Sequence, residues 1–210
     1  MEIEIFSDVV CPWCYIGKKR LDAVMDTPVG EGVTLRWRPY QLYPNMPPDG
    51  MDRARYLEAR YGADADRGRV PERIEAEAGE VGVKLDFSAI EKMPNTFQAH
   101  RLLDLAAAHG VQHELAEVLF DYYFCSGRDV GDLDVLVEAA ETLGLERDPV
   151  RDYLAGTEGA DAVREQLERA VDVGVSGVPC YLLAGRFALP GAQAPEVMAQ
   201  FITRAKSLVA

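Results

Sequence analysis

The stretch Val9-Val10-Cys11-Pro12-Trp13-Cys14-Tyr15 joins two different patterns of apolar residues. Before it, Ile3-Glu4-Ile5-Phe6 shows the alternation and the β-branched residues that are typical of a strand. After it, apolar residues recur at approximately the spacing of one helical face, at Ile16, Leu21, Val24 and Met25. The two cysteines are therefore expected where a strand passes into a helix, with Cys11 in the first helical turn.

The spacing of the two cysteines suits redox chemistry. Residues three apart on a helix are neighbours, so Cys11 and Cys14 can form a disulfide with little backbone movement. The free N–H groups and the dipole at a helix start favour a thiolate at Cys11. Cys14 is expected to lie deeper, as a resolving thiol does. Trp13 is expected either to present an apolar surface beside the nucleophile or simply to pack. A Cys-x-x-Cys in this position predicts a redox-active dithiol.

Three other interpretations of the cysteine pair stay open. A structural disulfide across so short a loop would remove only about 2 kcal/mol of unfolded-state entropy, which makes this a poor place for a staple. A zinc site would need a second pair of ligands, and Cys125 and Cys180 stand alone in the sequence. The third interpretation is a pair of cysteines without any role. We expect neither a metal nor a cofactor.

Composition limits the classes of partner. The chain has 210 residues, enough for one large domain or two small ones, and a net charge of −13. Without a basic stripe to neutralise phosphates, a nucleic-acid partner is not expected. No signal peptide and no apolar run of the ~20 residues needed to span a membrane is visible. We therefore expect a cytoplasmic protein, although a chain from which a leader had been removed would look the same.

The two ends of the chain carry the strand patterns. Residues 33–40 alternate as a second strand, which completes a strand–helix–strand unit. The pattern returns at 179–183 and 187–189 as a hairpin, and residues 195–208 form a closing helix. One sheet built from both ends is the simplest arrangement that accommodates these elements.

Between the two ends, strand patterns disappear and amphipathic helices follow one another. They are expected at 51–61, 71–81, 95–109, 114–124, 133–143, 149–155 and 159–173. The predicted fold class is α/β, a thioredoxin-like fold with an inserted all-helical domain. The predicted boundaries are 1–48 and 157–210 for the thioredoxin-like domain, and 49–156 for the helical insert.

Three separated motifs carry a resemblance to a known family. They are Ser7-Asp8-Val9-Val10-Cys11-Pro12-Trp13-Cys14-Tyr15-Ile16-Gly17, Pro94-Asn95-Thr96-Phe97-Gln98-Ala99-His100-Arg101, and Gly174-Val175-Ser176-Gly177-Val178-Pro179 followed by Pro190-Gly191-Ala192-Gln193. Together they resemble the DsbA superfamily, and within it the FrnE-like branch. The likeness extends over essentially the whole chain, whereas the Cys-x-x-Cys alone would not be specific.

The resemblance implies a thiol–disulfide oxidoreductase that acts by dithiol–disulfide exchange. It implies Cys11 as the nucleophile, Cys14 as the resolving thiol and Pro179 as a cis-proline that faces them. Trp13 and Val178 would contact the substrate, with backbone groups beside the proline pairing with an extended chain. The implied partners are protein thiols and disulfides or glutathione, and a homodimer is compatible with the family. The direction of electron flow stays open.

The same superfamily supplies an alternative function. It includes 2-hydroxychromene-2-carboxylate isomerases and kappa-class glutathione transferases, which typically carry serine where Cys11 stands. The alternative is therefore a glutathione-dependent isomerase or transferase of small aromatic or polyketide-like substrates. In that case the start of the last helix, near Gln193, would bind a glutathione carboxylate. A non-catalytic binding module on the same scaffold is the third hypothesis.

Five further residues are candidates for the site or its surroundings. His100 and Asn95, in the motif of the insert, would bind substrate; His100 could instead tune Cys11 or serve as a packing residue. Asp8 would either influence the thiols or cap a strand end. Cys180 follows Pro179 directly and would be either a third thiol at the site or a small buried hydrophobe. Cys125 is expected to be buried or idle, and a Cys125–Cys180 pair stays open.

Overall fold

The helices and strands of a computed structural model are described for residues 1–62 and 68–209; residues 63–67 and 210, which fall within the predicted domains, lie outside the described part. The strands are β1 (Glu2–Ser7), β2 (Thr34–Pro39), β3 (Met51–Asp52), β4 (Lys92–Met93), β5 (Cys180–Leu183) and β6 (Phe187–Pro190). The helices are α1 (Pro12–Met25), α2 (Arg53–Tyr61), α3 (Glu72–Glu80), α4 (Phe97–Ala108), α5 (Gln112–Ser126), α6 (Leu133–Glu141), α7 (Arg147–Ala155), α8 (Ala160–Asp172) and α9 (Pro195–Val209).

Both ends of the chain contribute strands to one mixed sheet, in the order β2-β1-β5-β6. Strand β1 runs parallel to β2 and antiparallel to β5, and β6 is antiparallel to β5. Ile5 in the middle of β1 lies opposite Trp37 on one side and Tyr181 on the other. The predicted α/β architecture, with its sheet assembled from the two ends, is confirmed.

Strand β1 lies between β2 and β5, and both of its faces are covered. Ile3 and Ile5 belong to the larger buried cluster, whereas Phe6 on the other face belongs to a smaller one. Glu4 is also buried, and its carboxylate accepts hydrogen bonds from Arg38 at 2.7 Å and Arg169 at 2.6 Å. These charge-assisted bonds compensate for the burial of the carboxylate.

The helical segment shares its core with the sheet. Side chains of β1, α1, α4, α5, α6 and α7 all belong to the larger buried cluster. The domain boundaries at 48/49 and 156/157 stay a prediction. None of the described helices is long and apolar enough to cross a membrane.

One expectation about the helical segment is wrong. Strands were not expected there, yet Met51 pairs with Met93 and Asp52 pairs with Lys92 in a small antiparallel sheet. Two residues per strand are too few for alternation to appear in a sequence, so the pattern could not reveal them. The same pairing starts α2 at Arg53 rather than at Met51, with the Asp52 side chain accepting the N–H of Arg55 at 2.7 Å.

Candidate active site

The two cysteines lie at the start of α1. Cys11 is the N-cap, in an extended conformation, and Pro12 occupies the first helical position. The Cys11 N–H donates to Asp8 O, and Cys11 O accepts the N–H of Cys14, both at 3.0 Å. Cys14 is 1% exposed, as expected of the deeper thiol, but Cys11 is only 3% exposed. Both thiols are therefore shielded from solvent.

The loop before β5 closes the site from the other end of the chain. The Cys11 thiol donates to Val178 O at 3.6 Å, although the two residues are 167 positions apart in sequence. The Val178–Pro179 peptide bond is cis. Pro179 O accepts the N–H of Gly191 at 2.7 Å, which ties this loop to the turn after β6. The structure thus brings Cys11, Cys14, Val178 and Pro179 together.

Burial dominates the electrostatics of Cys14. Desolvation raises the pKa of the Cys14 thiol well above its ordinary value, and the hydrogen bond and charge of Cys11 raise it further. The Ser7 hydroxyl and the backbone of Asp8 lower this pKa in part. Ser7 is a residue of the site for which the sequence predicted no role. The available signal was its place at the end of a buried strand, directly before the motif.

Tyr181 adds a second hydroxyl to the site. The sequence predicted no role for this residue either. A methyl group built at Gly17 would lie 2.4 Å from the Tyr181 hydroxyl oxygen and 3.2 Å from Pro179 Cγ. Burial raises the pKa of Tyr181 well above its ordinary value, and the charges of Cys14 and Cys11 add to the effect. Glycine at position 17 is therefore what allows β5 to approach α1 this closely.

Asp8 and His100 form a buried pair behind the cysteines. The Asp8 carboxylate accepts the N–H of Leu42 at 2.8 Å, and its other oxygen lies 3.4 Å from His100 Nε2. The same nitrogen donates to Tyr40 O at 3.0 Å, which fixes the tautomer, since a carbonyl only accepts. The Asp8 side chain thus holds the chain after β2, as a strand-end cap does, while its backbone contacts Cys11 and Cys14.

The other two predicted substrate residues, Trp13 and Asn95, have different surroundings. Trp13 is partly exposed, and the Arg73 guanidinium on α3 lies over its ring, 5.2 Å from the centroid. Asn95 donates to Met46 O at 2.7 Å and accepts the N–H of Phe97 at 3.0 Å. The Asn95 amide therefore joins the loop before β3 to the start of α4.

The remaining cysteines are free and lie apart in the core. Cys180 belongs to the smaller cluster with Phe6, on the opposite side of the sheet from Cys14, because side chains alternate along β5. Its pKa is raised by burial. Cys125 is partly buried, 3.8 Å from an Asp121 oxygen, and burial and that carboxylate raise its pKa. Within residues 1–62 and 68–209, no three metal-ligating side chains come together.

Solved structures of oxidoreductases share this fold. A probable DsbA oxidoreductase from Streptomyces coelicolor is 33% identical, with a TM-score of 0.86 over 99% of this chain and 90% of that one. The cytosolic disulfide reductase DsbM from Pseudomonas aeruginosa, solved with GSH, is 16% identical, with a TM-score of 0.69 over 99% of this chain and 100% of that one.

An isomerase has the fold as well. A 2-hydroxychromene-2-carboxylate isomerase is 16% identical, with a TM-score of 0.68 over 97% of this chain and 95% of that one. At this level of identity, the likeness to DsbM and to the isomerase shows the fold alone. A family model described as the DSBA-like thioredoxin domain matches residues 2–203. With this match and the 33% identity over nearly its whole length, the chain belongs to the family of DSBA-like thioredoxin domains.

Proposed function

We propose that this protein is a thiol–disulfide oxidoreductase that works by dithiol–disulfide exchange, with Cys11 as the nucleophile and Cys14 as the resolving thiol. The observation that carries the proposal is the contact between Cys11 Sγ and Val178 O, 3.6 Å apart. It places a sulfur at a helix N-terminus against a carbonyl group in the loop that ends at Pro179. An extended substrate chain could pair with the backbone of this loop while its disulfide meets Cys11.

The reaction follows from the positions of the two thiols. Cys11 attacks one sulfur of the substrate disulfide, and the other substrate sulfur leaves with the electron pair. Cys14 then attacks Cys11 Sγ, which releases the second substrate thiol and leaves a Cys11–Cys14 disulfide. Cys14 is the deeper thiol and its pKa is raised, which suits the second role better than the first.

We assign the predicted substrate residues to two roles. Val178 and Trp13 would contact substrate, because Val178 is beside Cys11 and the Trp13 ring is partly exposed. Asn95 and His100 would act from behind, because their hydrogen bonds to Met46 O and Tyr40 O hold the chain between β2 and β3 in place. In this proposal Pro179 shapes the loop that receives the substrate backbone.

Reduction of insulin by dithiothreitol tests the function. The wild-type protein should accelerate the precipitation of reduced insulin chains, and the Cys11→Ser variant should not. Cys180→Ala is the matched control, since it removes a buried thiol on the other side of the sheet and should retain the wild-type rate. Equal rates for wild type and Cys11→Ser would reject the proposal.

Glutathione is the second candidate partner, and with it the isomerase or transferase function. Support comes from the fold shared with DsbM, which was solved with GSH, and with the isomerase. The proposed carboxylate site near Gln193 is less favoured. The Gln193 side chain turns back to Pro190 O at 2.7 Å, α9 begins with Pro195, which has no N–H, and Glu196 adds a negative charge to its first turn.

Calorimetric titration separates the two candidates. Glutathione binding in the absence of insulin reduction, together with isomerase turnover that survives Cys14→Ala, would favour the second function. Loss of insulin reduction in both Cys11→Ser and Cys14→Ala would favour the first function.

We further propose a cytoplasmic location, membership of the FrnE-like branch and a homodimer as working assignments. The direction of electron flow follows from the reduction potential of the Cys11–Cys14 pair, compared with the glutathione pool.

A further inference from the structure

We propose that the hydroxyl groups of Ser7 and Tyr181 form a pair of hydrogen-bond donors for the Cys14 sulfur when that sulfur becomes a thiolate in the resolving step. This inference rests on the proposed function and assigns the two hydroxyls to the reacting sulfur of Cys14. It concerns Tyr181 in particular, where a phenylalanine would fill the same apolar space without supplying a donor.

The sheet places both hydroxyls on one face. Ile3, Ile5 and Ser7 alternate with Glu4 and Phe6 along β1, so Ser7 faces the same side as Ile5. Tyr181 lies directly opposite Ile5 in the register of β1 and β5. Residues two apart across such a pair are diagonal neighbours on one face. Ser7 and Tyr181 are therefore diagonal neighbours on the side of the sheet that covers α1.

The helix turns Cys14 toward the same face of the sheet as the two hydroxyls. Cys14 and Gly17 are three residues apart on α1 and so share a face. The Tyr181 hydroxyl reaches this face, as the 2.4 Å separation from a methyl group built at Gly17 shows. On the other side, the Ser7 hydroxyl is close enough to Cys14 to lower the pKa of its thiol.

Neither hydroxyl has a partner that would compete with Cys14. Within the described part of the chain, Ser7 Oγ and Tyr181 Oη are buried and complete no hydrogen bond. Ser7 is 4% exposed and Tyr181 3% exposed. A buried hydroxyl without a partner costs free energy and is rare, so two of them around one thiol call for an explanation. A thiolate that exists only during turnover would supply the missing acceptor.

Among residues 1–62 and 68–209, the charged side chains closest to this pair face other groups. The Asp8 carboxylate is turned toward Leu42 and His100, its Oδ1 completes no hydrogen bond, and the Asp8 backbone contacts Cys14. The Arg20 guanidinium, whose charge acts on Tyr181, is hydrogen-bonded to Glu77, Glu80 and Ala192 O. The Asp22 carboxylate, which also acts on Tyr181, is bonded to Lys18 and His113. Two neutral donors would stabilise the anion without introducing another buried charge.

The resolving step balances with these groups. In the mixed disulfide, Cys11 Sγ is bonded to the substrate sulfur and Cys14 carries a proton. The Cys14 sulfur gives up this proton, accepts hydrogen bonds from both hydroxyls and forms a bond with Cys11 Sγ. The bond between Cys11 and the substrate breaks, and the substrate sulfur takes the electron pair and a proton. In this step Cys14 is oxidised and the substrate sulfur is reduced, while Cys11 Sγ passes from one disulfide to another. The proton that Cys14 gives up is balanced by the proton that the substrate sulfur takes.

A chromogenic aromatic disulfide separates the two chemical steps. In a Cys125→Ser, Cys180→Ala background, attack by Cys11 releases one coloured thiolate, and resolution by Cys14 releases a second. Ser7→Ala and Tyr181→Phe should leave the first phase unchanged and slow the second about tenfold each, because a rise of about one unit in the Cys14 pKa leaves about a tenth of the thiolate. Ser7→Thr keeps the hydroxyl and should restore the second phase.

A direct titration gives a readout that does not depend on turnover. In a Cys11→Ser background, the ultraviolet absorbance of the thiolate reports the Cys14 pKa, which should rise by about one unit in Ser7→Ala and in Tyr181→Phe. Tyr123→Phe removes another buried tyrosine hydroxyl, in the helical segment, and is the control. An unchanged second phase and an unchanged pKa in both variants would overturn this inference and leave the proposed function intact. A wild-type protein that releases only one thiolate would instead contradict the proposed function.

Discussion

His100 Nε2 and Asp8 Oδ1 lie 3.4 Å apart, and both side chains are almost completely buried. The contact joins α4 of the helical segment to the residue that follows the central strand β1. Because His100 also donates to Tyr40 O, and Asp8 also accepts from Leu42, the pair fixes the chain that leaves β2 beside Cys11. The helical segment therefore supports the position of the dithiol from behind.

Loss of the His100 side chain should destabilise the protein. His100→Ala leaves Tyr40 O without its donor and opens a buried space beside Asp8, which should cost about 1–3 kcal/mol in the free energy of unfolding. His109→Ala, at an exposed histidine, should change it by less than about 0.5 kcal/mol. Urea denaturation followed by circular dichroism measures both. Equal losses in the two variants would mean that the buried pair contributes nothing specific.

Arg101 is expected to be one of the most sensitive positions for stability. It is 1% exposed, and its five N–H groups donate to protein oxygens: Gln98 Oε1 and the carbonyl groups of Tyr153, Leu154 and Glu158. The guanidinium thus binds the last carbonyl groups of α7, where a positive charge is favourable. Arg101→Met should cost more than about 3 kcal/mol, because it leaves three carbonyl groups and the Gln98 amide oxygen without these donors in or beside the core.

Two variants serve as comparisons for this prediction. One keeps a positive charge at position 101, and the other removes an exposed arginine elsewhere. Arg101→Lys keeps the charge but has at most three donors, so its loss should fall between those of wild type and Arg101→Met. Arg164→Met, at an exposed arginine, should stay within about 0.5 kcal/mol of wild type. The same urea titration compares the series. If Arg101→Lys were as stable as wild type, the additional N–H donors of the guanidinium would contribute nothing to the free energy of unfolding.

Gly17 should not tolerate even a methyl group. The added Cβ would lie 2.4 Å from the Tyr181 hydroxyl, so Gly17→Ala should cost about 1–3 kcal/mol and slow insulin reduction by displacing Pro179. Adding Tyr181→Phe removes the clashing oxygen and should recover part of the lost stability. Gly79→Ala in α3 is the control, since nothing lies within 4 Å of its Cβ, and should stabilise by up to about 1 kcal/mol. Equal effects at the two glycines would contradict the contact.

Stability should decline at alkaline pH. Burial raises the pKa of Cys14 and of the tyrosines Tyr15, Tyr43, Tyr123 and Tyr181 above their ordinary values. Once the pH exceeds the unfolded values of about 8.5 for cysteine and about 10 for tyrosine, the unfolded chain binds fewer protons than the folded one. The free energy of unfolding then falls as the pH rises.

Urea titrations near neutral pH and above pH ~10 measure this decline. It should be shallower in Tyr181→Phe, which removes one of the groups that drive it. A free energy of unfolding that stays constant across this range, or a decline of the same slope in Tyr181→Phe, would contradict the prediction.

Sequence patterns predicted the main parts of the site, because the Cys-x-x-Cys and the Val178–Pro179 pair are recognised from local spacing. The Cys-x-x-Cys at a strand-to-helix junction follows from a change of hydrophobic period, and Val178–Pro179 from its place before a returning strand. The same reasoning could not find the small sheet of β3 and β4, whose strands are two residues long. Nor could it decide whether Asp8 serves the thiols or the chain after β2, since its partner Leu42 lies in a loop 34 residues away whose position no local pattern gives.

A second reason why the sequence could not predict the whole site concerns Ser7, Tyr181 and Cys180. Which side of the sheet each side chain faces depends on the register of β1 with β5, and that register joins residues more than 170 positions apart. A shift by one residue would have placed Cys180 beside Cys14 and Tyr181 in the smaller cluster. The amino-acid types were visible in the sequence, but their facing directions were not.

The pairing of β1 with β5 has a consequence for synthesis of the protein. When ribosomes have completed the first 170 residues, the nascent chain already contains both cysteines of the dithiol, β2 and nearly all of the helical segment, but not Val178, Pro179 or the strand that covers Cys14. The dithiol therefore lacks the loop and the strand that cover it until the last part of the chain has been synthesised. Every shortened product that ends before β5 is consequently a chain with two accessible thiols and no finished site.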